Sequence, residues 1–243
     1  MERTEIRVGT AGWKIPGPVR ERFAGEGTHL ERYARRFSCV EINSSFYRPH
    51  RPSTYARWAA SVPDGFGFAL KVPKEITHKR RLADATKPLE QFLAESAPLG
   101  EKRAVLLVQL PPSFAYDADL IAGFFTEFRA RYAGLLACEP RHATWFTPDA
   151  GDVLRRFEVA RVAADPALVP EAAQPGGWDG FTYYRLHGSP RTYYSAYDDA
   201  ALREFVQRLS AAPRPVWCIF DNTAMDAASA NALDLTELVV RSL

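Results

Sequence analysis

The 243-residue sequence carries 31 Lys and Arg residues against 29 Asp and Glu residues. The resulting formal net charge of +2 excludes the strongly basic balance that is typical of a nucleic-acid-binding domain. Hydrophobic residues make up 47% of the chain, which suits a globular protein with a sizeable core. The length fits a single domain over residues 1–243, close to the roughly 250 residues of a closed α/β barrel.

The three cysteines indicate a reducing compartment. Cys39, Cys138 and Cys218 are odd in number and too widely spaced for a disulfide framework or a zinc motif. Each lies in an apolar run, which predicts a buried free thiol. Residues 1–5 lack the apolar stretch of a signal peptide, and no run approaches the roughly 18 apolar residues of a membrane span. We therefore expect a cytoplasmic protein with no membrane partner.

Short apolar runs alternate with longer amphipathic segments along the whole chain, in the order strand then helix. This alternation predicts parallel strands joined by crossover helices, and eight such units can close into a TIM-type (β/α)8 barrel. An open doubly wound sheet is the alternative, but the turn that starts at Gly9 lacks the third glycine typical of that fold. The predicted strands are Ile6–Thr10, Cys39–Asn43, Gly67–Val72, Ala104–Leu110, Leu135–Glu139, Ala160–Asp165, Phe181–His187 and Val216–Asp221.

Helix signals lie between the strands. Thr28 and Glu31 form a capping box, and Thr147 followed by Pro148 is typical of a helix start. Apolar stripes at helical spacing cover residues 120–128 and 202–209, and residues 227–243 are predicted to form a closing helix. The unit between the sixth and seventh strands is irregular, because residues 169–177 contain no helical pattern. No pattern in the chain indicates a bound cofactor.

Polar residues gather at the carboxyl ends of the predicted strands. Because side chains alternate between the two faces of a strand, Glu41, Lys71, Glu139 and Arg185 share the inward parity of small or apolar residues two positions earlier. A barrel interior that is apolar near the N-terminal ends of its strands and charged near their C-terminal ends is typical of a site at the C-terminal face. The alternative is a structural ion cluster in which these charges neutralise one another. Asn43, Gln109 and Arg141 follow the same parity.

Histidine and aromatic residues occur at the same strand ends. His78, His142 and His187 are candidate proton carriers, metal ligands or anion donors. Trp13, Tyr47 and Trp145 are candidates to stack against a ring of a ligand; the alternative is that they pack the loops.

Several stretches at these strand ends resemble the YecE-like family, known as domain of unknown function 72. The resemblance covers nearly the whole chain in order, implies a (β/α)8 barrel, and supplies no activity. It adds Asn222 to the candidate ligand-binding residues. The stretches are Gly9–Trp13, Val40–Arg48, Lys71–Pro73, Ile76–His78, Gln109–Phe114, Glu139–Trp145, Tyr184–Gly188 and Asp221–Asn222.

The sequence favours a pocket for a small polar anionic ligand such as a sugar phosphate. Lys71, Arg141 and Arg185 would hold the anion, while Glu41 and Glu139 would perform acid–base chemistry, with His187 as a third catalytic candidate. Whether the protein is an enzyme stays open, as does its oligomeric state.

Three alternatives stay open beside this hypothesis. Two carboxylates on opposed strands also suit a glycosidase. A metal-dependent hydrolase or isomerase could use carboxylate and histidine ligands, although no close-spaced metal motif supports one and we predict no metal site. A non-catalytic ligand-binding or nucleic-acid-binding barrel is the third alternative. It could use the arginines of residues 20–36, although the net charge does not support nucleic acid as a partner.

Overall fold

The computed structural model describes residues 6–242, and strands and helices alternate along them in a mixed α/β fold. Residues 1–5 and Leu243, on which the predictions about a leader and the end of the last helix partly rest, lie outside the described residues. The strands are β1 (Ile6–Thr10), β2 (Cys39–Ile42), β3 (Gly67–Lys71), β4 (Arg103–Gln109), β5 (Leu135–Glu139), β6 (Val159–Arg161), β7 (Ala163–Asp165), β8 (Gly176–Gly177), β9 (Thr182–Leu186) and β10 (Val216–Phe220).

The strands form two sheets. The first has the order β1-β10-β9-β7, and the second has the order β2-β3-β4-β5-β6-β8. Every pairing is parallel except the short antiparallel pairing of β6 with β8. The prediction of parallel strands joined by crossover helices is therefore confirmed.

The predicted sixth strand changes partner half-way along its length. β6 pairs with β5 of the second sheet, whereas β7 pairs with β9 of the first sheet. Val162 lies between them and donates its backbone N–H to the carbonyl of Cys138 at 2.9 Å. On the opposite side, Ala11 forms a parallel bridge with Glu41, and the Gly12 N–H donates to the Glu41 carbonyl at 2.8 Å. The two sheets are thus linked by backbone hydrogen bonds at both of these places.

The helices begin where the sequence signals predict. Thr28 and Glu31 cap each other at the start of the first helix, and the Thr147 side chain accepts the Ala150 N–H at the start of the sixth. Between β7 and β8 the chain forms only a 3-10 turn over Pro170–Ala173, as expected for the irregular unit. No helix in residues 6–242 is long and apolar enough to cross a membrane. The helices are α1 (His29–Ala34), α2 (Ser44–Tyr47), α3 (Pro52–Ala60), α4 (Thr86–Ser96), α5 (Ala118–Arg129), α6 (Pro148–Arg156), α7 (Asp199–Ala211) and α8 (Ala227–Ser242).

Two apolar clusters build the core. The larger one packs the outward faces of the strands against the helices, including the buried stripes of α5 and α7. The smaller one joins inward-facing residues of both sheets, among them Cys39, Ala69, Leu107, Ala137 and Tyr183. Each of these five residues precedes, by two positions, a polar residue at the end of its strand, so the inward parity predicted from the sequence is confirmed. All three cysteines are buried free thiols.

Candidate functional site

Arg185, on β9, is the centre of a buried ion cluster at the strand ends. Its Nε and Nη2 donate to the two carboxylate oxygens of Glu41, at 3.1 and 2.7 Å. Its Nη1 donates to Glu139 at 2.6 Å, and Nη2 also donates to Asp221 at 2.9 Å. The Tyr183 hydroxyl donates to Glu41 at 2.8 Å. Glu41 and Arg185 are both 0% exposed, so each is satisfied entirely by other side chains.

His187 lies two residues further along the chain, between two of the same carboxylates. Its Nε2 is 2.8 Å from Glu139 Oε1, and its Nδ1 is 3.1 Å from Asp221 Oδ2. Arg141, which follows β5, donates to Glu139 Oε1 at 3.1 Å. Asn43 donates to the second oxygen of Asp221 at 3.4 Å, while its own Oδ1 is buried without a hydrogen-bond partner among the described residues. We call Glu41, Glu139, Arg185, His187 and Asp221 the strand-end cluster.

The charges of the strand-end cluster shift one another's pKa values. Burial raises the pKa of Glu139, but the charges of Arg185, Arg141 and His187 outweigh burial and hold it well below its usual value. The pKa of Asp221 is lowered in the same way by Arg185 and His187. Burial lowers the pKa of His187, yet its two carboxylate partners outweigh burial and raise it above 6.5. The contacts between these groups therefore favour the carboxylate forms of Glu139 and Asp221 and the imidazolium form of His187.

Lys71, at the end of β3, differs from the other cations. It is 7% exposed, and its Nζ lies 4.1 Å from the centre of the Phe46 ring. Among the described residues, Nζ makes no hydrogen bond or ion pair. The strand end itself is fixed, because the Ser45 hydroxyl donates to the Lys71 carbonyl at 2.8 Å. A groove of about 310 Å³ beside this strand end is lined partly by Phe46, Tyr47 and Lys74.

A loop from Gly188 to Tyr197 covers one side of the cluster. It places the Tyr193 ring edge-on to His187, with centroids 5.7 Å apart, and the Tyr193 hydroxyl accepts a hydrogen bond from Arg141 at 3.2 Å. Gly188 has a φ of +93°, and a Cβ there would lie 2.6 Å from the Ser195 carbonyl oxygen, so this close approach requires glycine.

The buried pair Asn222 and Asn231 holds this loop in place. Asn222 donates to the Ser195 carbonyl at 3.0 Å and to Asn231 at 2.9 Å. Asn231 accepts the Tyr197 N–H and donates to the Tyr197 carbonyl. Asn222 is 0% exposed. Asn222 therefore positions the loop, while its Oδ1 is buried without a hydrogen-bond partner among the described residues. Ligand binding by Asn222 stays a prediction.

Three predicted residues are enclosed by other groups of the protein. Trp145 is fully buried against Phe114 and donates its indole N–H to the Phe114 carbonyl at 2.9 Å. Both oxygens of Glu41 are bonded and buried, and Arg185 is bonded to carboxylates of the protein, so proton exchange by Glu41 or anion binding by Arg185 would require these contacts to break. The ligand-related roles of these three residues stay predictions.

The other predicted residues lie around the cluster. His78 packs edge-on against Phe46, and burial together with the charges of Lys71, Lys74 and Arg141 lowers its pKa to about 4. His142 accepts the Thr144 N–H and starts a short 3-10 turn.

Three of the predicted residues differ mainly in exposure. Gln109 is largely buried at the end of β4, in register with Glu139. Trp13 packs against Trp58, with ring centroids 5.1 Å apart, and Tyr47 is 74% exposed.

Asp221 and Tyr183 were not assigned a role from the sequence. Asp221 ends the predicted eighth strand and Tyr183 shares the parity of Arg185, so the strand pattern contained a signal for both. Tyr193 belongs to the aromatic residues that the sequence places at the strand ends, but its contact with Arg141 depends on the path of the loop after Gly188.

In residues 6–242, no three His, Cys, Asp or Glu side chains are arranged so that they could hold one metal ion. Both ring nitrogens of His187 face carboxylates, and the carboxylate oxygens of Glu41 and Glu139 face N–H or O–H donors.

The fold and the site together define a class: a mixed α/β protein of parallel strands with a buried ion cluster at the carboxyl ends of those strands. The comparisons with known proteins agree with this class. The model of the family described as "Protein of unknown function DUF72" matches residues 7–242, so the chain belongs to the DUF72 family.

Two relatives carry the curated name UPF0759. The chain is 34% identical over 109 residues to UPF0759 protein YecE of Escherichia coli K12, and 26% identical over 151 residues to UPF0759 protein YunF of Bacillus subtilis. These matches cover 45% and 59% of this chain, but only 39% and 53% of the two relatives.

Solved structures extend the likeness to the whole fold. A DUF72 family protein of Thermotoga maritima is similar with a TM-score of 0.80 at 22% identity, covering 97% of this chain and 99% of that one. A DUF72 family protein of Enterococcus faecalis gives a TM-score of 0.79 at 20% identity, covering 97% and 95%.

Proposed function

We propose that the outer side of the strand-end cluster binds a small polar anionic ligand, such as a sugar phosphate, and that His187 exchanges a proton with it. The observation that carries the proposal is the charge arrangement. Arg185 and His187 offset two of the three formal negative charges of Glu41, Glu139 and Asp221, and the two remaining cations bring the formal sum to one positive charge. Those two are Lys71 and Arg141, and both retain some exposure.

The proposal rests on a closed barrel, which we infer from the links between the two sheets. The segment 159–165 pairs with the second sheet in its first half and with the first sheet in its second half. The hydrogen bond from Gly12 to Glu41 joins β1 to β2 on the opposite side. Eight parallel units joined in this way would enclose the smaller apolar cluster and direct the polar strand ends to one mouth.

Proton exchange is assigned to His187 because it lies beside Arg141, whose guanidinium also contacts Glu139. An anion that binds Arg141 would compete with Glu139 for this guanidinium, and Nε2 of His187 would become available once its contact with Glu139 opens. The carboxylate partners raise the pKa of His187, which favours the protonated ring. Glu139 and Asp221 then fix the orientation of the ring and stabilise its cationic form.

The alternatives receive less support. A glycosidase needs one free carboxylic acid, yet Glu41 and Glu139 both bind the same guanidinium. Nucleic-acid binding would need free basic side chains, yet Arg22 pairs with Asp234 and Glu237, and Arg32 donates to the Phe23 carbonyl.

The test is calorimetric titration of the protein with inorganic phosphate and with dihydroxyacetone phosphate. We expect Arg141→Gln to weaken binding about tenfold to a hundredfold, the effect of one charge-assisted hydrogen bond. Arg191→Gln is the matched control, because Arg191 lies in the loop after Gly188 and stacks on Tyr194 instead of contacting the cluster. Equal affinities of the two variants, or no binding by the wild type, would contradict the proposal.

A further inference from the structure

Lys71 is a buried primary amine with no anionic partner in direct contact. Within residues 6–242, its Nζ forms no ion pair, although three carboxylates of the strand-end cluster act on it electrostatically. Its Nζ lies over the face of Phe46, 4.1 Å from the ring centre, in a cation–π contact. Burial removes most of the water around the ammonium group, and this desolvation disfavours its charged form.

The charged groups around Lys71 come from several elements and partly cancel. Burial is the largest influence on its pKa and lowers it; Arg185 of β9 lowers it further. Glu41 of β2, Glu139 of β5 and Asp221 after β10 act in the opposite direction, and the resulting pKa is about 8. His78, on the far side of the Phe46 ring, has a pKa of about 4 and adds no charge near neutral pH.

A lysine with these surroundings is chemically different from a surface lysine. Desolvation and a neighbouring cation are the two features that turn a lysine into a nucleophile for carbonyl groups. Lys71 has both: it is 7% exposed, and Arg185 is the neighbouring cation.

We propose that Lys71 forms an imine with an aldehyde or ketone, so that the ligand of this site is a small anionic carbonyl compound. This inference rests on the function proposed above, because it names the class of that same ligand. The Lys71 nitrogen adds to the carbonyl carbon, and a C=N bond replaces the C=O bond. The carbonyl oxygen leaves as water with the two amine protons, so no oxidant or reductant is consumed.

The other residues fit this step. Protonated His187 is an acid that can assist departure of the carbonyl oxygen, and Arg141 is a contact for the anionic group of the ligand. The carboxylates of the cluster are bonded to Arg185 and His187, so none of them holds the Lys71 amine in a salt bridge.

The experiment is reductive trapping. The wild-type protein is incubated near pH 7 with dihydroxyacetone phosphate, or with uncharged dihydroxyacetone, and the imine is reduced with borohydride. Hydride then adds to the imine carbon, and the mass of the protein rises by the mass of the probe less one oxygen atom. Peptide mapping identifies the modified lysine, so the result does not depend on a variant that must fold.

We expect modification at Lys71 to be at least about tenfold faster than at the exposed Lys79, because a far larger fraction of Lys71 is neutral at pH 7. The rate at Lys71 should rise with pH around a midpoint of about 8. Lys71→Arg, which keeps the charge and removes the nucleophile, should abolish the adduct. Lys79→Arg, in the neighbouring π-helical turn Glu75–Lys79, should leave it unchanged.

Absence of an adduct, or labelling spread evenly over exposed lysines, would overturn the imine. Calorimetry with inorganic phosphate on the same preparation separates the two proposals. Phosphate binding without an adduct leaves the anion site standing and removes only the imine. An adduct at Lys71 with the uncharged probe but not with its phosphate supports the imine and contradicts the anion site.

Discussion

The strand-end cluster has two layers that obey different physical rules. The inner layer, Glu41, Tyr183 and Arg185, is wholly buried, and each of its polar groups is bonded to another side chain. The outer layer, which we define as Lys71, Arg141, His187 and Tyr193, contains a lysine without an ion pair among residues 6–242 and an arginine that is one-quarter exposed. The inner layer therefore has the character of a structural support, whereas the reactivity that we propose is placed on Lys71 of the outer layer.

The two layers also show why the sequence left two interpretations of these charges open, a structural ion cluster and a ligand-binding site. The structure contains the ion cluster, and the ligand site that we propose lies on its outer side. In the inner layer Arg185 bonds and orients the carboxylates of Glu41 and Glu139. Three measurements test this division.

The largest effect is expected in the inner layer. Arg185→Met leaves Glu41, Glu139 and Asp221 without their shared cation, so the free energy of unfolding should fall by about 3–5 kcal/mol or more. Urea unfolding monitored by circular dichroism measures this loss.

The matched control is Arg22→Met. Arg22 also bridges two carboxylates, Asp234 and Glu237, but at the surface, where a pair contributes about 1 kcal/mol or less. Similar losses in the free energy of unfolding of the two variants would contradict a structural role of the inner layer.

An intermediate effect is expected from pH. The folded-state pKa of His187 is raised above 6.5, so its contribution to stability is complete below pH 6.5 and is lost as pH rises through the folded value. Between pH 6.5 and 8 the free energy of unfolding should decline in the wild type and much less in His187→Gln.

This window isolates His187 from its neighbours. His50 and His78 have lowered pKa values and act below pH 6.5, and Lys71 acts above about pH 8. The lowered pKa values of Glu139 and Asp221 remove stability only under acid conditions, below 4.5. Parallel profiles for the wild type and His187→Gln would show that the imidazole is not held as a cation.

The smallest effect on stability is expected in the outer layer. Tyr193→Phe removes only the exposed hydrogen bond to Arg141, so the free energy of unfolding should change by no more than about 0.5 kcal/mol. Affinity for dihydroxyacetone phosphate should nevertheless fall several-fold, because Arg141 loses one of the contacts that orient it. Tyr194→Phe, on the same loop without this contact, provides the comparison. A large loss of stability without a change of affinity would show that Tyr193 has a structural role like that of the inner layer.

Much of the architecture was predictable because it depends on local rules. Strand runs, caps and the alternation of side chains identified seven strands and the start of the helices. They also placed Glu41, Lys71, Glu139 and Arg185 on the inward face. These sequence patterns predict the structure well because the pleat of a strand and the geometry of a helix cap are set by residues that are neighbours in the chain.

Pairings between residues far apart in the chain were not predictable from the sequence. Arg185 bonds both oxygens of Glu41 across 144 positions of the chain, and no spacing in the sequence indicates that pairing. Trp145, predicted from its place near a strand end, and Asn222, predicted from the family resemblance, are both buried by other elements. Only the tertiary structure determines that burial.

The segment 159–165 has a consequence for the way the molecule unfolds. The residues before Val162 pair with the second sheet, and the residues after it pair with the first sheet. If one sheet opens, the other sheet therefore loses strand pairing in this segment. If one sheet unfolded alone, backbone N–H and C=O groups of this segment would lose their hydrogen-bond partners. The amides of both sheets should therefore exchange with solvent through one shared cooperative opening, although the two sheets are built from different strands.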